Sequence, residues 1–197
     1  MKKIRVLIFL FLLLKVHSIN AQMGFKFNAL TGVFLIPNVG LEVQLTEKSS
    51  AQLDVLASLW NSFDGSPLHI TQIFPEYRRY FKSNMKGFFI GGHIGVGMFT
   101  LKKYGKAKYT YQSGRNTYFG FTVGYKLDIG KNWGLEFFVS GGSQQANYRG
   151  YDSNGQRIDN KGEIKPRPFN LSGELIPYRG GIMVVYRIPL FNNKNKM

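Results

Sequence analysis

From Thr117 to Leu127 the chain alternates between two kinds of side chain. Thr117, Phe119, Phe121, Val123, Tyr125 and Leu127 occupy the odd positions, and Tyr118, Gly120, Thr122, Gly124 and Lys126 the even ones. A period of two is that of a β-strand with one greasy face and one small or polar face. The same pattern recurs along the chain behind an N-terminal export signal. Together they predict a β-barrel of the outer-membrane kind, apolar outside and polar inside.

The leader is read from residues 1–22. Lys2, Lys3 and Arg5 make a basic start, Val6 to Leu14 is an unbroken apolar run, and Ser18-Ile19-Asn20-Ala21 ends in a small residue suited to signal peptidase. This is the pattern of a cleaved secretory signal. Its apolar run is shorter than the roughly 20 residues a membrane-spanning helix needs, and no other segment reaches that length. The chain has no cysteine, which excludes lipoprotein acylation and disulfides. The formal net charge is +15; Lys2, Lys3, Arg5 and Lys15 lie in the leader, and without these four cations +11 remains. A basic excess suits nucleic acid or an anionic membrane surface, or simply solvates loops. Export argues against nucleic acid.

Eight segments read as strands: 23–33, 38–46, 50–59, 69–81, 87–100, 116–128, 133–148 and 178–190. Outward apolar sets are Val39, Leu41, Val43 and Leu45 on the second, Trp133, Leu135, Phe137 and Val139 on the seventh, and Ile182, Val184, Tyr186 and Ile188 on the eighth. A strand of about 12 residues is about 40 Å long at about 3.3 Å per residue. Tilted near 45°, it rises about 28 Å, enough for the apolar band of such barrels. The connections alternate in length. Residues 46–49, 82–86 and 129–132 are tight; 60–68, 101–115 and 149–177 are long; only 34–37 is short on the long side. Short periplasmic turns and long outer loops are the habit of these barrels, and an even strand count then puts both termini in the periplasm. Trp60 falls at the outer end of its strand, and Trp133, Tyr80, Phe81 and Phe88 at periplasmic ends, where aromatic girdles belong. Pro75 cannot donate to a ladder, so a bulge is expected there. The reading is an all-β, eight-stranded antiparallel up-and-down transmembrane β-barrel over residues 23–191, with a polar tail at 192–197.

Three pieces carry a family resemblance: Pro37-Asn38-Val39-Gly40-Leu41-Glu42, then Leu53-Asp54 followed by Trp60, then Pro75-Glu76-Tyr77-Arg78. Over roughly residues 28–140 the chain resembles a family of outer-membrane barrels from Bacteroidota, the domain of unknown function 3575. The Pro-Glu-Tyr-Arg piece is the most specific. The resemblance implies an outer-membrane location and eight strands, and supplies no activity. In architecture, though not in motif, the chain is also similar to small OmpA-type and OmpX-type barrels.

Barrels of eight strands have interiors filled by side chains. By parity the inward positions include Glu42, Asp54, Glu76, Arg78, Lys126 and Glu136. Counted from the nearest tight turn, most fall at similar depth, so an ionic layer is expected in the periplasmic half, closing a polar lumen. Buried charges must be paired. Four carboxylates and two cations do not balance, and Arg187 and Lys26, also inward by parity, are the candidates to complete the set. Arg78 is expected to be the nearest cation to Glu42, Asp54 and Glu76. The layer reads as a plug that fixes register, with a proton or ion path as the functional alternative.

An enzyme needs a nucleophile beside a base. Outside the leader only His69 and His93 remain. His93 lies between glycines and faces inward as a satisfied interior histidine. His69 lies near the outer rim with Thr71 and Ser66 close by. Lipid A deacylases and acyltransferases of the barrel type place a Ser–His–acid set near the outer leaflet, but no His-x-Ser spacing exists here. No catalytic residue, metal-ligand spacing or cofactor motif is identified, and the pairs Gly91-Gly92 and Gly141-Gly142 look like space-savers on the inner wall. A conducting pore is disfavoured because eight strands leave no aqueous channel.

The loops are the remaining candidates. Residues 101–115 hold Lys102, Lys103, Lys106, Lys108 and Arg115 and no acid, interleaved with Tyr104, Tyr109 and Tyr111. Such a segment suits lipopolysaccharide phosphates or another anionic polymer. Residues 149–177 are nearly neutral and long enough to bind or to be disordered. The expected role is structural or adhesive at the envelope. The partners would be outer-membrane lipid and lipopolysaccharide, the barrel-assembly machinery during insertion, and an envelope or adhesin partner. The alternative is an enzyme acting on outer-leaflet lipid.

Overall fold

The computed structural model describes residues 22–102, 111–152, 154–157 and 175–188. Eight strands form one closed barrel in sequence order: β1 (Met23–Asn28), β2 (Asn38–Thr46), β3 (Ser49–Asn61), β4 (Pro67–Lys82), β5 (Lys86–Lys102), β6 (Tyr111–Asp128), β7 (Trp133–Tyr151) and β8 (Leu175–Ile188). Every neighbouring pair is antiparallel, and β8 returns to β1 through Met23 opposite Ile188 up to Asn28 opposite Met183.

Strand parity decides what faces where. On β5, Phe88, Ile90, Ile94, Val96 and Met98 point outward, while Gly91, His93 and Gly95 point inward. On β6, Phe119, Phe121, Val123 and Leu127 point outward against inward Tyr118, Thr122 and Lys126. The outer wall is therefore apolar, and most buried side chains inside it are polar or charged. No helix among the described residues is long and apolar enough to cross a membrane, which has no bearing on a barrel that would cross with strands.

Several boundaries differ from the sequence reading. The first strand stops at Asn28, not residue 33, because the chain turns into a single helical turn, α1 (Ala29–Val33). Asn28 Oδ1 accepts from the amides of Leu30 and Thr31, at 3.2 and 3.5 Å, and so caps that turn. The first connection thus runs over residues 29–37 and is not the short one; residues 62–66 join β3 to β4 tightly. At the same end β5, β6 and β7 run further than expected, so Lys102 and Arg115 are strand residues, and Lys102 pairs with Tyr111. The apolar signal stops where the apolar outer wall stops, but a hairpin ladder continues beyond it on backbone hydrogen bonds and cross-strand pairs such as stacked Tyr111 and Tyr151.

Pro75 causes no bulge. It pairs with Leu53 in an unbroken register on the β3 side. Toward β5 the ladder lapses at Phe74 and Pro75 and resumes in the same register at Glu76 opposite His93. The missing N–H costs a ladder step without an inserted residue. Register shifts lie elsewhere, near the turns at Gln44–Thr46 and Tyr80–Lys82 and on β8, where the register against β7 shifts between Ser140 opposite Arg179 and Gly141 opposite Pro177. The extra residue is Tyr178. It turns inward next to inward Arg179, which parity alone forbids.

Phe81, Phe88 and Trp133 are exposed near the short-turn end, and Trp60 near the other. Tyr80 does not join them: it is buried in the lumen at 1% exposure. With Met85, Phe89, Phe138, Met183 and Val185 it forms a hydrophobic cluster at the short-turn end. Met85 reaches this cluster from a turn in which Asn84 and Met85 both hold positive φ, at 61° and 53°.

Candidate functional site: a sealed ionic lumen below an open cavity

All six charged positions expected in the lumen are buried there: Glu42, Asp54, Glu76, Arg78, Lys126 and Glu136. Five of them join one chain of contacts. Lys26 Nζ lies 2.8 Å from Glu42 Oε2 and 2.5 Å from Glu136 Oε2. Lys126 Nζ meets the same Glu42 oxygen at 3.0 Å. Arg78 bridges Glu136 and Glu76, each at 2.7 Å. Arg179 caps the far carboxylate oxygen of Glu76. Asp54 stands beside this chain rather than in it. It accepts from Asn38 and, at 3.3 Å, from Gln52 Nε2, while Gln52 Oε1 accepts from Lys26 at 2.7 Å.

The partners correct two expectations. Arg78 does not serve Glu42 or Asp54; it serves Glu76 and Glu136, and the two lysines hold Glu42. Lys26 completes the set, but Arg187 does not. Arg187 bonds Asp128 at the short-turn end, where Lys86 also lies 2.6 Å from that carboxylate. The fourth cation is Arg179, which the sequence reading did not name, although it stands eight residues before Arg187 on the same strand and so shares its inward parity. With Lys26, Arg78, Lys126 and Arg179 against Glu42, Asp54, Glu76 and Glu136, the formal charges balance four to four.

The cluster is also packed. Arg78 lies over the Phe89 ring, 4.4 Å from its centroid, and Arg179 over Phe74 at 4.6 Å. Tyr80 donates to Glu42 Oε1 at 2.6 Å. Gly91 leaves the room that Glu76 uses, since a β-carbon there would come within 2.5 Å of Glu76 Oε1. Ions taken from water need such neighbours, because an unpaired buried charge costs several kcal/mol.

Above the ions a ring of aromatic and amide groups crosses the lumen. His93 Nδ1 is 3.1 Å from Thr122 Oγ1, and Nε2 is 2.6 Å from the Tyr178 hydroxyl. Both ring nitrogens are thus partnered inside the wall. Phe74, Tyr118 and Tyr178 pack on one another, with centroids 5.0 to 6.2 Å apart. The Tyr118 oxygen accepts from Gln72 Nε2 at 2.7 Å and from Asn116 Nδ2 at 2.8 Å.

The upper lumen is neither closed nor uniformly polar, which corrects the expectation of a filled polar interior. A cavity of about 560 Å³ opens above Tyr118 and Tyr178, walled by Leu68, Ile70, Phe99 and Leu101 among others. On β4 and β5 the inward positions become apolar toward this end, so the chain lines a cup rather than filling it.

His69 lies on the other side of the wall. It faces outward in a groove of about 320 Å³ that it shares with Thr71, Thr100, Ser113 and Arg115. Thr100 and Ser113 bond each other at 2.9 Å, and neither hydroxyl bonds His69. Among the described residues no cluster of His, Asp and Glu is arranged to hold a metal ion.

The basic segment divides. Lys102 ends β5 and its Nζ is 2.5 Å from Asp64 Oδ2. That bond, and those from Ser62 and Ser66, hold the Asp64 carboxyl well below the usual carboxylate range. Arg115 is exposed on the outer face of β6. Lys103, Lys106 and Lys108 lie outside the described residues. Of the glycine pairs, Gly91 and Gly142 face the lumen. Gly92 points outward, with nothing within 4 Å of a β-carbon placed there, so it saves no interior space.

The family model of a protein of unknown function, DUF3575, matches residues 6–176. The chain belongs to this family. The match extends past both ends of the resembling stretch, into the apolar N-terminal run and through the long connection before β8. No curated protein and no solved structure matches the chain.

Proposed function

We propose that the chain is an outer-membrane barrel with both termini periplasmic, a closed anchor that acts through its loop end. It would contact outer-leaflet lipid and lipopolysaccharide or an envelope partner such as an adhesin, after insertion by the barrel-assembly machinery. One observation carries this reading: an apolar outer wall surrounds a lumen blocked by a neutralised ionic cluster and the Tyr80–Met85–Phe89 group. The first favours lipid around the barrel. The second argues against a through-channel, and leaves the loop end as the place for recognition. Lys102 and Arg115 flank the segment that carries Lys103, Lys106 and Lys108, which supports an anionic ligand there.

Placement is tested by heating. In detergent the folded protein is expected to migrate faster on gels unheated than boiled, with β-rich circular dichroism. Recovery of a soluble periplasmic protein without a heat shift would overturn the membrane reading.

The ligand is tested by salt. Lipopolysaccharide binding should weaken as ionic strength rises, since the Debye length is about 10 Å at 0.1 M. Replacing Lys102, Lys103, Lys106, Lys108 and Arg115 together by glutamine should remove the salt-sensitive part and leave the heat shift intact. Binding indifferent to salt, or unchanged in the variant, would reduce the segment to a solvated connector. We assign no enzymatic step, because among the described residues no hydroxyl bonds His69 and the His93 nitrogens are engaged by Thr122 and Tyr178. Unchanged lipid A acylation in membranes that express the chain is the expected outcome, and altered acylation would favour a lipid-modifying enzyme.

A further inference from the structure

We infer that the cavity at the loop end is a binding site for a small, neutral, largely apolar molecule that carries one hydroxyl. Its volume, about 560 Å³, lies within the roughly 300–1,000 Å³ of small-molecule sites, which are apolar with a few fixed polar groups. Leu68, Ile70, Phe99 and Leu101 supply the apolar wall. Ser62, Ser66, Gln112 and Gln144 also line the cavity, and on the floor Gln72 and Asn116 both donate to the phenol oxygen of Tyr118.

That floor is incomplete in a specific way. Asn116 is only 9% exposed and lines the cavity, yet its Oδ1 has no hydrogen-bond partner. Buried polar atoms are normally satisfied, and leaving one unmade costs about 1–3 kcal/mol. The Tyr118 oxygen already accepts two bonds, from Gln72 and Asn116, and its own proton has no acceptor among the described residues. An acceptor and a donor thus stand on two residues that a 2.8 Å hydrogen bond joins. A hydroxyl satisfies both, donating to Asn116 and accepting from Tyr118. A hydrocarbon satisfies neither. Charge is not selected: Lys102, at the mouth, is engaged by Asp64, and the cations below are paired with carboxylates. Lys102 lines this cavity and also belongs to the lipopolysaccharide reading, but the inference rests on the floor residues and not on that cation.

The test compares 1-naphthol with naphthalene, the same rings without the hydroxyl. The full chain, refolded in nanodiscs and carrying labelled methyl groups, is titrated with each. Saturable shifts of the Leu68, Ile70 and Leu101 methyls are expected with 1-naphthol, and affinity about tenfold weaker with naphthalene, the worth of one hydrogen bond. Asn116→Leu should lower 1-naphthol affinity to the naphthalene level. Ile70→Trp should abolish both by filling the cup. The wild-type comparison needs no variant to fold. Equal binding of the two probes, full 1-naphthol affinity in Asn116→Leu, or equal shifts of the outward Ile94 and Val96 methyls would overturn the assignment.

Discussion

Arg78→Leu will lower the unfolding free energy of the barrel by about 3–5 kcal/mol, the usual consequence of breaking a buried ion pair from one side. Arg78 is fully buried and bonds Glu76 and Glu136, each at 2.7 Å. Removing it leaves both carboxylates in the lumen with one cation each, Arg179 for Glu76 and Lys26 for Glu136. The four-to-four balance becomes three to four. Lys131→Leu, in the exposed turn between β6 and β7, should change stability by no more than about 0.5 kcal/mol. Urea unfolding of both variants in the same lipid measures the difference. Coincident midpoints would mean that the ions do not hold the wall together. Arg78→Lys should recover part of the loss, because it keeps the charge but cannot present a fork to two carboxylates.

Gly120→Ala is expected to cost about 1–3 kcal/mol, the range for forcing atoms into a filled interior. A β-carbon on Gly120 would overlap the Gly141 carbonyl oxygen and the Tyr178 hydroxyl. The carbonyl belongs to the wall and cannot swing aside, so Tyr178 must leave His93. Two readouts should therefore move together: the urea midpoint falls, and the His93 ring resonances shift as Nε2 loses its partner. Gly92→Ala is the matched control, one position from His93 but outward, with open space around the added carbon. It should leave both readouts near their wild-type values. Equal losses in the two variants would show that backbone conformation, not the crowding of the lumen, is why glycine stands at position 120.

The sheet was largely legible from the sequence, and the reason is physical. Side chains on a barrel strand meet only two environments, and a period of two in hydrophobicity records which. Inward Glu42, Glu76, Arg78, Lys126 and Glu136 could be placed together because antiparallel strands joined by tight turns keep a residue's distance from its turn. What parity could not carry was any residue whose side a backbone irregularity decides. Tyr178 is inward only through a bulge, and Pro177 beside it was the available signal; Arg179 shares the parity of inward Arg187 and was legible. Tyr80 resembled a girdle residue because its type fits an interface, although its position after inward Arg78 already placed it inside. Met85 gave a fainter sign, a long apolar side chain in a turn of polar residues. The cavity was not legible at all. Leu68, Ile70, Phe99 and Leu101 are unremarkable as types, and only the closed wall shows that nothing from the opposite strands fills the space between them.

The staves of this barrel are unequal. β6 and β7 pair from Tyr111 opposite Tyr151 down to Asp128 opposite Gly134, whereas β1 meets β8 only from Met23 to Asn28. The tall staves are hairpins between sequence neighbours and can zip locally. The short one is a clasp between the two ends of the sheet, and it must gather some 160 residues of intervening chain, a separation that slows folding. Until it shuts, the molecule is an open sheet with two bare edges, and bare edges recruit other chains. Weakening the clasp should therefore yield aggregates in place of a loosened barrel, and assembly of this protein depends most on its shortest strand.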